Sequence, residues 1–137
     1  MTDKARQFPA FDRSDLWILD HDDIDALEIG AGILGTGGGG NPYIGKLRAR
    51  QALNEGLELS ILPHQKVHDD ALVVSVGGIG APVVGVERIR EGREGLRCIR
   101  ALEAHLGIHV DVIACEEIGG SNAVEPLLVG AHAGLPV

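Results

Sequence analysis

Two adjacent carboxylates, Glu116 and Glu117, close an apolar run at residues 108–115 and precede Gly119, Gly120, Ser121 and Asn122. A carboxylate beside a partly dehydrated cleft has its pKa raised toward values useful to a general acid or base. Adjacent residues at the end of a strand point to opposite faces, so only one of the two can aim into a given cleft. Glu117 is the better choice, because Asn122, across the Gly119-Gly120 turn, can return to the same rim. Glu117 and Asn122 are therefore the candidate catalytic pair; the plainer alternative is one surface acid and one helix cap.

Two glycine runs could supply backbone contacts to a ligand. In the first, Gly35-Thr36-Gly37-Gly38-Gly39-Gly40 leads into Asn41-Pro42, a cap followed by a residue that needs no N–H, hence a helix start. Backbone without side chains beside the free N–H groups of a helix admits an anionic or carbonyl group. Thr36, Gly37, Gly38, Gly39, Gly40 and Asn41 are thus candidate substrate contacts, with tight backbone packing or a flexible connector as alternatives. The second run, Gly77-Gly78-Ile79-Gly80-Ala81-Pro82, follows a strand-like segment, where α/β folds place ligands. Gly78 and Gly80, with Gly119 and Gly120, complete the candidate substrate-binding set, and a structural turn is the alternative.

Other motifs are weaker. Overlapping G-x-G-x-x-G matches at Gly30, Gly32 and Gly35 and at Gly35, Gly37 and Gly40 lack the strand that a dinucleotide site needs before them. A near-match to a phosphate loop at residues 40–47 ends in Leu47, where a hydroxyl should hold Mg²⁺. His64 and His68, and His105 and His109, have zinc-like spacing, but the first pair follows Pro63 in a loop and the second straddles Gly107. Surface or capping histidine is the reading, with His68, Asp69 and Asp70 as the alternative metal cluster; no metal site and no cofactor is assigned. Cys98 and Cys115 lack C-x-x-C spacing and lie in apolar-periodic segments, which reads as buried reduced thiol. The charge-rich residues 87–100 read as a solvated helix face with internal ion pairs.

The elements that would position these residues alternate. Residues 1–19 form an arm whose Phe8 and Phe11 can dock on the body or on a partner, and residues 20–137 form the domain. Asp20 or Asp22 caps a helix through Leu34, since Ile24, Leu27, Ala31 and Leu34 recur at helical steps and acids crowd its first turn. A second helix runs from Asn41-Pro42 toward Gly56. Residues 57–62 alternate as a half-buried strand, and the continuous apolar run 71–76 reads as a central strand covered on both faces. Leu96, Ile99, Leu102 and Leu106 mark a helix ending at Gly107, and residues 108–115 a strand with Val110, Val112 and Ile113 inside. A short helix then runs to about His132 before Gly134, and Leu135-Pro136-Val137 looks like the start of a further strand. The expectation is an α/β fold with a mainly parallel or mixed sheet and flanking helices, cut short before a C-terminal domain.

Composition bounds the function. The 137 residues, 45% apolar, suit one domain, and 12 Lys and Arg against 20 Asp and Glu give a net charge of −8. That charge removes the counterion-release basis of nucleic-acid binding and disfavours a membrane surface. No apolar run approaches the ~20 residues of a membrane span and no secretory leader is apparent, so a cytoplasmic location is expected. The 20 glycines are about twice the ordinary share, and they cluster where apolar periodicity stops.

The succession Ile29-Gly30-Ala31-Gly32-Ile33-Leu34-Gly35-Thr36-Gly37-Gly38-Gly39-Gly40-Asn41-Pro42-Tyr43, then Gly77-Gly78-Ile79-Gly80-Ala81-Pro82, then Glu117-Ile118-Gly119-Gly120-Ser121-Asn122, resembles the N-terminal domain of the S-methyl thiohydantoin desulfurase family. The resemblance covers roughly residues 20–137. It implies a two-domain, hydantoinase-related hydrolase acting on S-methyl thiohydantoin or a related hydantoin-like cyclic amide by C–S or C–N cleavage. A chemistry consistent with it has Glu117 activating a water against the amidine-like ring carbon, while Asn122 and glycine-loop N–H groups hold the ring oxygen. The partners it implies are the small-molecule ring, the protein's own C-terminal domain or another subunit, and further copies in a homo-oligomer. The competing readings are a non-catalytic ligand-binding or subunit-assembly module and a nucleotide-binding domain using residues 35–40.

Overall fold

The computed structural model describes residues 10–88 and 90–137, so Phe8 lies outside the described residues. The chain adopts the expected α/β architecture: β1 (Trp17–Ile18), α1 (His21–Gly35), α2 (Pro42–Asn54), β2 (Ser60–Ile61), β3 (Val73–Val76), α3 (Pro82–Glu87), α4 (Glu94–Leu106), β4 (Val112–Cys115) and α5 (Glu125–Ala133). Both leading helices start where their caps predict. The Asp20 carboxylate accepts from the N–H groups of Asp22 and Asp23, while Asp23 reaches back to the Asp20 N–H, a reciprocal box that satisfies otherwise free donors. Asn41 Oδ1 accepts from the Tyr43 N–H at 3.0 Å, with Pro42 opening the helix.

The sheet is mixed. β1 pairs antiparallel with β2, β3 pairs parallel with β4, and the two pairs do not touch each other directly. Residues 135–137 lie between them: Val137 N–H donates to the Ser60 carbonyl, Leu62 N–H to the Val137 carbonyl and Ile113 N–H to the Pro136 carbonyl. The bonds between Val137 and residues 60–62 follow the parallel pattern, but residues 135–137 are extended backbone rather than the further strand expected there. One hydrophobic cluster gathers Leu19, Ile24, Ala49, Leu59 and Leu127, and a second gathers Ile99, Val110, Ile113 and Val129. Val137 packs against both. Ile24 and Leu59 are among the most buried side chains, each stabilising the fold by about 1.5–3 kcal/mol through burial.

Several expectations need correction. Among the described residues β3 pairs with β4 alone, so the run 71–76 forms an edge strand rather than a central one. Its Val73 is 45% exposed and Ser75 is also exposed, because no layer covers that face. Only Ser60–Ile61 of residues 57–62 is strand, and Ser60 is buried where the alternation had placed it outside. Residues 87–100 are not one helix face: α3 ends at Glu87, α4 begins at Glu94, and the pairs Arg88 with Glu94 and Arg97 with Glu91 span the break. Cys98 and Cys115 are free but neither residue is buried. The N-terminal segment is more than an arm from Ala10 onward, since Ala10 and Leu19 are buried and β1 pairs with β2.

Candidate functional site

The register of the parallel pair sets the geometry. Val76 stands opposite Cys115, so both strands end level, and the loops that begin at Gly77 and Glu116 leave the same edge. The third loop arrives from the hairpin of α1 and α2, which Lys46 with Glu28 (2.9 Å) and Arg50 with Asp25 (2.7 Å) help to align. These pairs are at least partly exposed and contribute little stability individually. Arg48 ties α2 to Glu125 at the start of α5.

The three loops meet at Asn122, which is 8% exposed. Its Nδ2 donates to the Gly78 carbonyl at 3.0 Å and to Glu117 Oε1 at 3.1 Å, and its Oδ1 accepts from the Gly78 N–H at 3.0 Å. Its backbone N–H donates to the Gly39 carbonyl at 3.0 Å. Residues 35–41, 77–82 and 117–122 are thus joined through one side chain and its own peptide. Both N–H bonds of the carboxamide are committed to protein acceptors.

Around this hub the glycines fall into two groups. At Gly35, Gly39, Gly119 and Gly120 the backbones touch: a methyl group on Gly35 would lie 2.8 Å from the Gly120 nitrogen, and one on Gly120 would lie 2.6 Å from the Gly38 carbonyl oxygen. Gly39 (φ 72°) and Gly120 (φ 66°) also hold left-handed backbone. Close packing therefore explains glycine at these four positions. Gly37 and Gly80 face open space, and Gly37, Gly38, Gly40, Gly78 and Gly80 are exposed. Thr36 caps α1 in left-handed backbone, φ 45°, and is exposed. Asn41 is occupied with capping α2.

Glu116 and Glu117 part as adjacent residues should. Glu117, exposed, lies against the first loop, its Oε2 2.8 Å from where a Gly39 side chain would begin; Glu116 Oε2 lies 2.7 Å from the same point on Gly77. Gly35, Gly77 and Glu116 belong to the junction although the candidate set omitted them. The signal for Gly77 and Glu116 was their place directly after two strands that end in register. Cys115, beside them, has its Sγ 3.9 Å from the Ala123 carbonyl oxygen, and desolvation there pushes its thiol pKa up, away from nucleophilic use.

Residues 30–35 lie within α1, so the dinucleotide motif lacks its strand. Among the described residues no group of three or more His, Cys, Asp or Glu is placed to hold a metal ion, which includes His68, Asp69 and Asp70, and no helix is long and apolar enough to cross a membrane. A small cavity lined by Phe11, Leu16, Ser60, Ala131, Leu135 and Pro136 shares no residue with the junction. A family model described as S-Me-THD-like, N-terminal domain, matches residues 22–137. No curated protein and no solved structure matches.

Proposed function

The chain belongs to the S-Me-THD-like (S-methyl thiohydantoin desulfurase-like) family as its N-terminal domain, and from that premise we propose that it supplies one wall of a hydrolytic site for an S-methylated thiohydantoin or a related cyclic amide. The observation that carries this reading is Glu117, an exposed carboxylate held at one oxygen where three glycine loops meet on the C-terminal edge of parallel strands. Glu117 takes a proton from water as its oxygen attacks the ring carbon bearing sulfur. The electron pair moves to the ring nitrogen beside the attacked carbon and is shared with the ring oxygen, which the N–H groups of the exposed glycines, Gly37 and Gly40 foremost, hold. The C–S bond then breaks, and the proton held by Glu117 goes to the departing sulfur, so that water and the S-methyl ring become a hydantoin and methanethiol.

The site works against a second body, the protein's own C-terminal domain or another subunit of a cytoplasmic homo-oligomer. Ile79, 99% exposed, and Ile118, 70% exposed, stand on its rim as apolar contacts for that body. The test is Glu117→Gln in the protein with any further domain in place. It keeps the shape and removes the proton acceptor, so turnover of an S-methyl thiohydantoin falls by ~10²-fold or more with folding unchanged. Near-normal turnover removes Glu117 from the mechanism. The close-packed glycines favour a second reading, an assembly module without chemistry; under it no variant at 117 changes any turnover, and none is found.

A further inference from the structure

Asn122 sits where a ligand-binding amide would be expected, yet its hydrogen-bonding groups face inward. One N–H holds Glu117 Oε1, the other holds the Gly78 carbonyl, and the carbonyl oxygen takes the Gly78 N–H. The paired bonds to Gly78 copy the two-way exchange of an antiparallel pair, with a side chain in place of a strand. Gly78 lies in the exposed segment 77–81, which carries no buried residue of its own and leads into the exposed turns of α3. Its hold on the body at this point is the Asn122 carboxamide.

We propose that Asn122 is a positioning residue: a single carboxamide clamps the Glu117 carboxylate and the Gly77–Gly80 loop in a fixed relation, and it acts on the ring only through them. The clamp itself is geometric; its consequence for turnover rests on the hydrolytic reading above. Holding Oε1 fixes the carboxylate and leaves Oε2 as the oxygen that meets water. Holding Gly78 at both its N–H and its carbonyl keeps the second glycine loop from swinging away from the sheet edge. A donor to the ring oxygen would need a free N–H, and this amide has none.

Two variants separate the two halves of the clamp. Asn122→Ala removes every side-chain bond. Asn122→Asp keeps an acceptor for the Gly78 N–H but loses both donors, so it releases Glu117 and the Gly78 carbonyl. Amide exchange at Gly78 quickens by about tenfold or more in Asn122→Ala and much less in Asn122→Asp, while the core amides of Ala49 and Ile113 keep their rates. The carbon-13 signal of the Glu117 carboxylate moves in both variants. Turnover falls in both by about 10- to 100-fold, and in the Glu117→Gln background each adds less than its full loss, because part of what Asn122 does runs through Glu117 and the rest through the Gly78 loop. Unchanged Gly78 exchange in Asn122→Ala, an unmoved Glu117 signal, or losses that multiply in full with Glu117→Gln would each overturn the proposal. If Glu117→Gln leaves turnover intact, the hydrolytic reading fails while exchange and the carboxylate signal still decide the clamp.

Discussion

Thr36 shows how much a single residue is asked to do at this junction. A β-branched side chain in left-handed backbone is sterically disfavoured, and helix ends of this kind ordinarily use glycine. Thr36 adopts that backbone at φ 45° at the end of α1, immediately before four glycines. Thr36→Gly is therefore expected to stabilise the domain by up to about 1 kcal/mol, the steric relief being partly offset by a freer unfolded chain. Urea denaturation of the two proteins measures it, and a loss of stability would mean that the Thr36 side chain supports the turn. That Glu117 and Asn122 come together was legible from their order and spacing around a glycine turn. What was not legible was which way the Asn122 amide faces, because its partner Gly78 lies 44 positions away and no local pattern reports that pairing.

Among the elements, helix boundaries were the most readable, since Asp20, Asn41, Gly107 and Gly134 act within a turn of their own positions. Strand neighbours were not: the apolar run before Gly77 specifies a strand without specifying how many partners it has, and α3 hid in a valine-rich stretch marked only by Pro82 at its start. The return from α4 into β4 depends on Glu103, a buried acid that accepts from the Val110 N–H at 3.0 Å and from Arg100 at 2.8 Å. The Val110 hydrogen bond, and then Arg100, hold its carboxyl below the ordinary glutamate value of 4.5. A carboxyl depressed on folding stabilises the fold above its unfolded value and loses that contribution as pH falls through the lower folded value. Glu103→Gln should accordingly be less stable than the parent at pH 7, with the gap closing as pH falls below the ordinary value of 4.5 and through the lower folded value, where the parent's own Glu103 is protonated. A gap independent of pH in denaturation curves would show that shape rather than charge is what Glu103 provides.

At the scale of the whole molecule, the described surface carries more apolar side chain than its acidic composition suggests. Ile29 and Ile33 on α1, Tyr43 and Leu47 on α2, and Val83 and Val86 on α3 are all exposed, as are Ile79 and Ile118 at the junction. Isolated exposed residues are ordinary, but Ile29 with Ile33, Tyr43 with Leu47 and Val83 with Val86 stand about one helical turn apart, so each helix presents an apolar pair to water. The isolated domain is expected to bind a hydrophobic dye at neutral pH with its secondary structure intact, and a monodisperse monomer that binds none would contradict this.

The bridging position of residues 135–137 has a consequence for cooperativity. One hydrophobic cluster belongs to β1, β2 and the helical hairpin, the other to β3, β4 and α4, and Val137 packs against both while its peptide bonds to β2. Together with α5, which contributes Leu127 to one cluster and Val129 to the other, this tripeptide is what lets two small cores melt as one. Loosen it, and the α1–α2 side and the β3–β4 side become separate opening units, so the shared edge on which the three loops meet persists only while both halves stay locked in step.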